Sequence, residues 1–116
     1  MRHGSKHRKF GRETKQRKAL LRDLALALIE RGKITATQAK AKSLRVYIEK
    51  LITKGKTKNL AATRLLVSQL GVKHAKKLTT ELADRFVNRH GGYTRIINLP
   101  PRQSDGARMA IIEFVD

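Results

Sequence analysis

Glu81 and Asp84 stand three residues apart in a helical pattern, His3 and His7 stand four apart, and Gly55-Lys56-Thr57 looks like the end of a phosphate-binding loop. Acid–base catalysis, metal binding and nucleotide binding would each begin from residues of these types. Two carboxylates on one turn of one helix do not converge across a cleft as a catalytic pair must. Salt bridges to Lys77, Arg85 and other exposed cations account for them. The histidines have no carboxylate or third histidine at ligand spacing, and Lys6, Arg8 and Lys9 repel a metal ion. His3 could join a free terminal amine in square-planar coordination of Cu(II) or Ni(II), an incidental property beside RNA-facing use. A phosphate-binding loop needs glycine five positions before Gly55, where the chain has Lys50, and a strand ahead of it. The tripeptide therefore reads as a helix-to-helix turn. Without cysteine there is no disulfide, thiolate zinc site or cysteine nucleophile, which fits a reducing compartment. No Ser-His-Asp arrangement can be argued from spacing. The expectation is a protein with no catalytic centre, cofactor, metal or small-molecule substrate.

The remaining chemistry is cationic. The 116 residues carry 27 Lys and Arg against 9 Asp and Glu, a formal charge of +18. Such a chain repels itself unless a polyanion neutralises it, and nucleic acid is the natural one. Residues 1–58 hold 18 bases and 4 acids, residues 59–116 hold 9 and 5. Arg2, Lys6, Arg8, Lys9, Arg12, Lys15, Arg17 and Lys18 fall within the first 18 residues, together with His3 and His7, and only Met1 and Phe10 are large and apolar there. A segment of this kind cannot pack a core, so residues 1–13 are expected to form a flexible basic arm that orders on its partner. Residues 14–116 are expected to form one domain. Lys40, Lys42 and Arg45 extend the basic surface. Arg89-His90-Gly91-Gly92-Tyr93-Thr94-Arg95 combines cations, hydroxyls and glycines, which let a backbone approach phosphate closely. Tyr93 could pack as easily as stack.

Five aromatics (Phe10, Tyr47, Phe86, Tyr93, Phe114) are too few for a core plus a base-stacking platform. Contacts to phosphate and 2′-hydroxyl on folded RNA, or to a duplex backbone, fit better. A nucleoid-type DNA-binding protein would use the same charge and is the alternative; a basic nuclease would need a carboxylate cluster that is missing. The longest apolar run, Leu24 to Ile29, is far short of the roughly 20 residues that span a bilayer. Surface binding to lipid would call for Trp or Phe on a basic amphipathic helix, and Trp is absent. Arg22 and Asp23 interrupt the Ala/Leu stretch and no cleavage site follows, so the N-terminus reads as mature protein.

Apolar periodicity lays out the elements that must position these residues. Leu20, Leu21, Leu24, Ala25, Leu28 and Ile29 predict a helix from about Thr14, stopped at Gly32. Lys33 to Ala36 alternates and predicts a short strand. Thr37 is a candidate N-cap for a second helix with Ala41, Leu44, Ile48, Leu51 and Ile52 on one face, ending at Gly55. Lys40, Lys42, Arg45 and Lys50 lie on its other face. A third helix spans about Lys58 to Leu70, and a fourth starts near Val72 with Ala75, Leu78, Leu82 and Phe86 in register and ends within Asn88 to Gly92. Tyr93 to Leu99 and Ala107 to Phe114 are β-type runs flanking Pro100-Pro101 and Ser104-Asp105-Gly106, which predicts an antiparallel hairpin. The expected fold class is α+β, two layers in the order α-β-α-α-α-β-β, with helices on one face of a small mixed three-stranded sheet and a basic N-terminal arm.

Several motifs, taken together and in order, resemble the family of bacterial large-subunit ribosomal protein seventeen. They are Met1-Arg2-His3, Ile34-Thr35-Ala36-Thr37 leading to Lys40-Ala41-Lys42-Ser43-Leu44-Arg45, Leu51-Ile52-Thr53, Gly91 to Ile96, and Asp105-Gly106-Ala107 through Glu113. The likeness covers nearly the whole chain. It departs at Ala39, where the family often has Pro, at Ser43, where it often has Glu, and at Ser104, where Gly usually precedes the Asp. The resemblance implies a non-catalytic constituent of the large ribosomal subunit, in the cytoplasm or an organelle, that binds large-subunit rRNA beside neighbouring ribosomal proteins. It also implies that the arm with Arg2, His3, Lys6, Arg8, Lys9 and Arg12 threads into rRNA and that the loop from Gly91 to Arg95 lies against it.

Overall fold

The computed structural model describes residues 14–115. Helix α1 (Thr14–Arg31) ends at Gly32, whose φ of +83° suits the left-handed turn that a residue without Cβ makes most readily. Strand β1 (Lys33–Thr37) follows directly. The Thr37 side chain then caps helix α2 (Gln38–Thr57) by accepting from the Lys40 amide, as its position predicts. Helix α3 (Leu60–Leu70) is capped by Asn59, which accepts from the Ala62 amide at 2.7 Å. The fourth helical stretch comprises α4 (Val72–Lys77), a π-helical turn (Leu78–Leu82) and α5 (Ala83–Arg85). Strands β2 (Thr94–Asn98) and β3 (Met109–Phe114) complete the order.

The α+β class and the helix-on-sheet layering are as expected, and β2 and β3 pair antiparallel. The sheet is not mixed. Its order is β1-β3-β2, and β3 runs antiparallel to both neighbours. The two edge strands do run in the same direction, but β3 separates them, so no parallel ladder forms. Register places Ile34, Ile112 and Ile96 in one row facing the helices, while Lys33, Glu113 and Arg95 share a row on the opposite face. Ile112, Leu44, Ile48, Ile52, Leu66, Leu78 and Phe86 are completely or almost completely buried between the layers.

Two helices differ from the periodicity reading. Helix α2 does not stop at Gly55 but runs on to Thr57, and Lys58 takes the left-handed position at φ +54°. Gly55 is buried inside the helix because Leu78 crosses it closely: a Cβ there would lie 2.4 Å from Leu78 Cδ2. Gly55-Lys56-Thr57 is therefore helical and not a turn. The fourth helix carries an extra residue in its middle, where the Ala83 amide reaches back five residues to the Leu78 carbonyl. Thr79 Oγ1 donates to the Ala75 and Lys76 carbonyls and Thr80 Oγ1 to that of Lys76. Such side-chain competition for backbone acceptors accompanies helix irregularity. Asp84 pairs with Lys58 at the α2 terminus, and Lys77 donates to the Glu30 carbonyl.

Candidate nucleic-acid interface

The segment from Arg89 to Thr94, a loop and the first residue of β2, is fastened to the second half of α2 at three levels. Glu49, the lone acid of that helix, turns its Oε2 toward β2, where it accepts from Thr94 Oγ1 at 2.8 Å and from the Thr94 amide at 3.3 Å. Arg45, one turn earlier, approaches the same oxygen at 3.4 Å. One turn later, Thr53 Oγ1 and the Tyr93 hydroxyl lie 3.5 Å apart. Near the helix end, Lys56 Nζ donates to the Tyr93 hydroxyl at 3.2 Å and to the Arg89 carbonyl. Residues 45, 49, 53 and 56 recur at the spacing that keeps side chains on one helix face. This face of α2 is a mount for the loop.

Tyr93 is 2% exposed and its ring lies 5.2 Å from that of Phe86. A ring so placed anchors the loop from within and is not offered to a base. The Thr53 hydrogen bond lowers the Tyr93 phenol below its usual value; burial opposes this, and Lys56 adds to the lowering. Gly91 and Gly92 adopt φ of +126° and +61°, which explains why glycine is needed at both. Arg89 Nε closes the loop by donating to the Gly92 carbonyl at 3.1 Å, and His90 is exposed beside it. Arg95 points to the other face of the sheet and pairs with Glu113 at 2.6 Å.

The other expected contact residues separate into three groups. Arg2, His3, Lys6, His7, Arg8, Lys9 and Arg12 lie outside the described residues. Lys15 and Lys18 are exposed on the first turns of α1, where Arg17 is half-buried and donates to Thr14. Lys40 is half-buried and Lys42 exposed at the start of α2, while Arg45 is drawn toward Glu49 and the loop. Periodicity alone did not single out Lys54 and Thr57 as contact residues, and it gave Lys50 only as part of a polar helix face. These three line an open groove of about 490 Å³ together with Glu49, Thr53, Gly91 and Tyr93. The signal was present in the spacing: Lys50, Thr53, Lys54 and Thr57 form an i, i+3, i+4, i+7 stripe.

Among the described residues, no three His, Asp or Glu side chains gather as a metal site, and no helix is long and apolar enough to cross a membrane. Comparison with known proteins finds relatives of nearly the same length. A protein of Nautilia profundicola is 51% identical over 99% of this chain and 98% of its own, and one of Campylobacter lari is 48% identical over 99% of both. One of Erythrobacter litoralis is 49% identical over the whole chain and 84% of its own. All three bear the name large ribosomal subunit protein bL17. The family profile described as Ribosomal protein L17 matches residues 20–115, from the apolar face of α1 to the end of β3, and the chain belongs to that family.

Proposed function

We infer that this chain is a structural constituent of the large ribosomal subunit and that it binds and stabilises large-subunit rRNA beside neighbouring ribosomal proteins. The full-length match to proteins named for the large subunit carries the reading. The charge of +18 supports RNA as the contact, because phosphate relieves the self-repulsion that so basic a chain would otherwise bear. Its role is one of scaffold. The arm of residues 1–13, the exposed cations of α1 and α2 and the loop at Arg89 to Tyr93 supply the contacts, and residues 14–116 form the domain that holds them. Ordering the arm costs on the order of 1 to 2 kcal/mol per residue of backbone entropy, which charge-assisted phosphate contacts offset.

Filter binding to purified large-subunit rRNA tests the reading. Removal of residues 2–12 is expected to weaken binding strongly while circular dichroism stays that of the folded domain. The intact chain is expected to prefer folded rRNA to duplex DNA at matched salt. Preference for duplex DNA would favour a nucleoid-type protein, and equal affinity of the intact and shortened chains would remove the arm from the interface.

A further inference from the structure

We propose that the groove between the second half of α2 and the Gly91-Gly92 turn is a docking site for the sugar–phosphate backbone of folded RNA, with Lys50 and Lys54 as its phosphate-contacting cations. The proposal rests on the rRNA-binding reading and adds the place and the residues. Lys56 is consumed inside the molecule, donating to the Tyr93 hydroxyl and the Arg89 carbonyl. Lys50 and Lys54, on the groove wall, are exposed and have neither an ion pair nor a hydrogen bond among the described residues. The acid beside them does not neutralise them: Glu49 is committed to Thr94 and Arg45. The groove thus keeps two cations that the fold leaves uncompensated.

The opposite wall is suited to the same ligand. On that wall the Gly91 amide meets no acceptor among the described residues, and apart from its chain neighbours nothing lies within 4 Å of where a Gly91 Cβ would stand. Gly91 thus puts no side chain of its own in the path of a phosphate that approaches this backbone. Thr57, the last residue of α2, adds a hydroxyl to the lining that can serve a 2′-hydroxyl or a phosphate oxygen. From Lys50 to Thr57 the stripe rises about 10 Å at 1.5 Å per residue, long enough to follow a strand for more than one phosphate. The buried Tyr93 ring forms the floor and offers no exposed face for stacking, so the site reads backbone and not base identity.

The test uses the full-length chain and purified large-subunit rRNA over a range of salt. Lys50→Gln with Lys54→Gln should lower affinity on the order of tenfold and reduce the slope of log affinity against log salt by about 1 for each lysine. Glutamine keeps good helix propensity, and unchanged circular dichroism verifies the fold. Lys73→Gln with Lys76→Gln, which removes the same charge from α4, should leave both quantities near those of the parent. Equal losses from the two pairs would overturn the groove in favour of a diffuse field. If the groove pair binds like the parent while Arg8→Gln with Lys9→Gln and Arg12→Gln weakens binding, the groove is overturned and rRNA binding stands. If the parent itself fails to bind rRNA, the underlying reading falls.

Discussion

Gly55 sits where α2 meets the π-helical turn, with the side chain of Leu78 filling the space a Cβ would need. Replacing glycine by alanine inside a helix ordinarily stabilises by about 1 kcal/mol. Overpacking a filled core costs about 1 to 3 kcal/mol, and Leu78 has no exposed direction in which to retreat. The second effect is larger, so Gly55→Ala is expected to destabilise the fold by about 1 kcal/mol net, seen as a lower urea midpoint. A raised midpoint would show that Leu78 repacks freely. The same residue marks a limit of reading residues from sequence, since a glycine after an apolar stripe looks the same whether it stops a helix or lets a neighbour in. Tyr93 is a second case. Its residue type allowed stacking or packing, and only the positions of Phe86, Thr53 and Lys56 decide for packing.

The helices and strands were largely legible because each presents an apolar stripe with the right period. The π-helical turn was not, because Leu78, Leu82 and Phe86 keep their four-residue spacing across it, and the Thr79 and Thr80 hydroxyl bonds that accompany it leave no mark on the apolar period. Sheet order was hidden too, since nothing in the local pattern of β3 says that it enters between β1 and β2. The β2–β3 connection shows how a predicted turn is actually held. Arg102 grips Asp105 through two hydrogen bonds of 3.0 and 2.7 Å, and the Ala107 amide donates to the same carboxylate. These contacts, the Arg102 hydrogen bond first, hold the Asp105 carboxyl at about 2 instead of 3.8. The folded value is the lower one. The stabilising contribution is therefore fully present above 3.8 and disappears as pH falls through about 2. A carboxyl NMR titration should place the Asp105 midpoint near 2, and Arg102→Gln should move it up toward the ordinary value. An Asp105 midpoint already at the ordinary value would mean that the turn is held by its backbone alone.

At the scale of the whole molecule, the uneven charge was readable from composition, but its division into cations used by the fold and cations left outward was not. Lys56, Lys58 and Lys77 are engaged internally, whereas Lys50 and Lys54 are not. Net repulsion remains the dominant long-range term at +18, and exposed ion pairs contribute little against it. Added sodium chloride screens that repulsion, so the thermal midpoint of the free protein is expected to rise from low to moderate ionic strength. Under the function proposed above, large-subunit rRNA at low salt should raise it further, because the folded state is the one that binds. A midpoint that falls with salt would mean that the surface pairs outweigh the repulsion.

The position of β3 has a consequence for the order in which the molecule can be made. Both strands that flank it precede it in the chain, so on a translating ribosome β1 and β2 emerge without the partner that joins them. At about 5 to 20 residues per second, β1 waits several seconds for that partner. Helices can form meanwhile from local contacts, but no strand pairing can begin until β3 emerges, and only then can the Phe114 amide reach the Gly32 carbonyl and the Val115 amide that of Tyr93. The last strand to be synthesised is thus the keystone that locks the earliest elements to the loop.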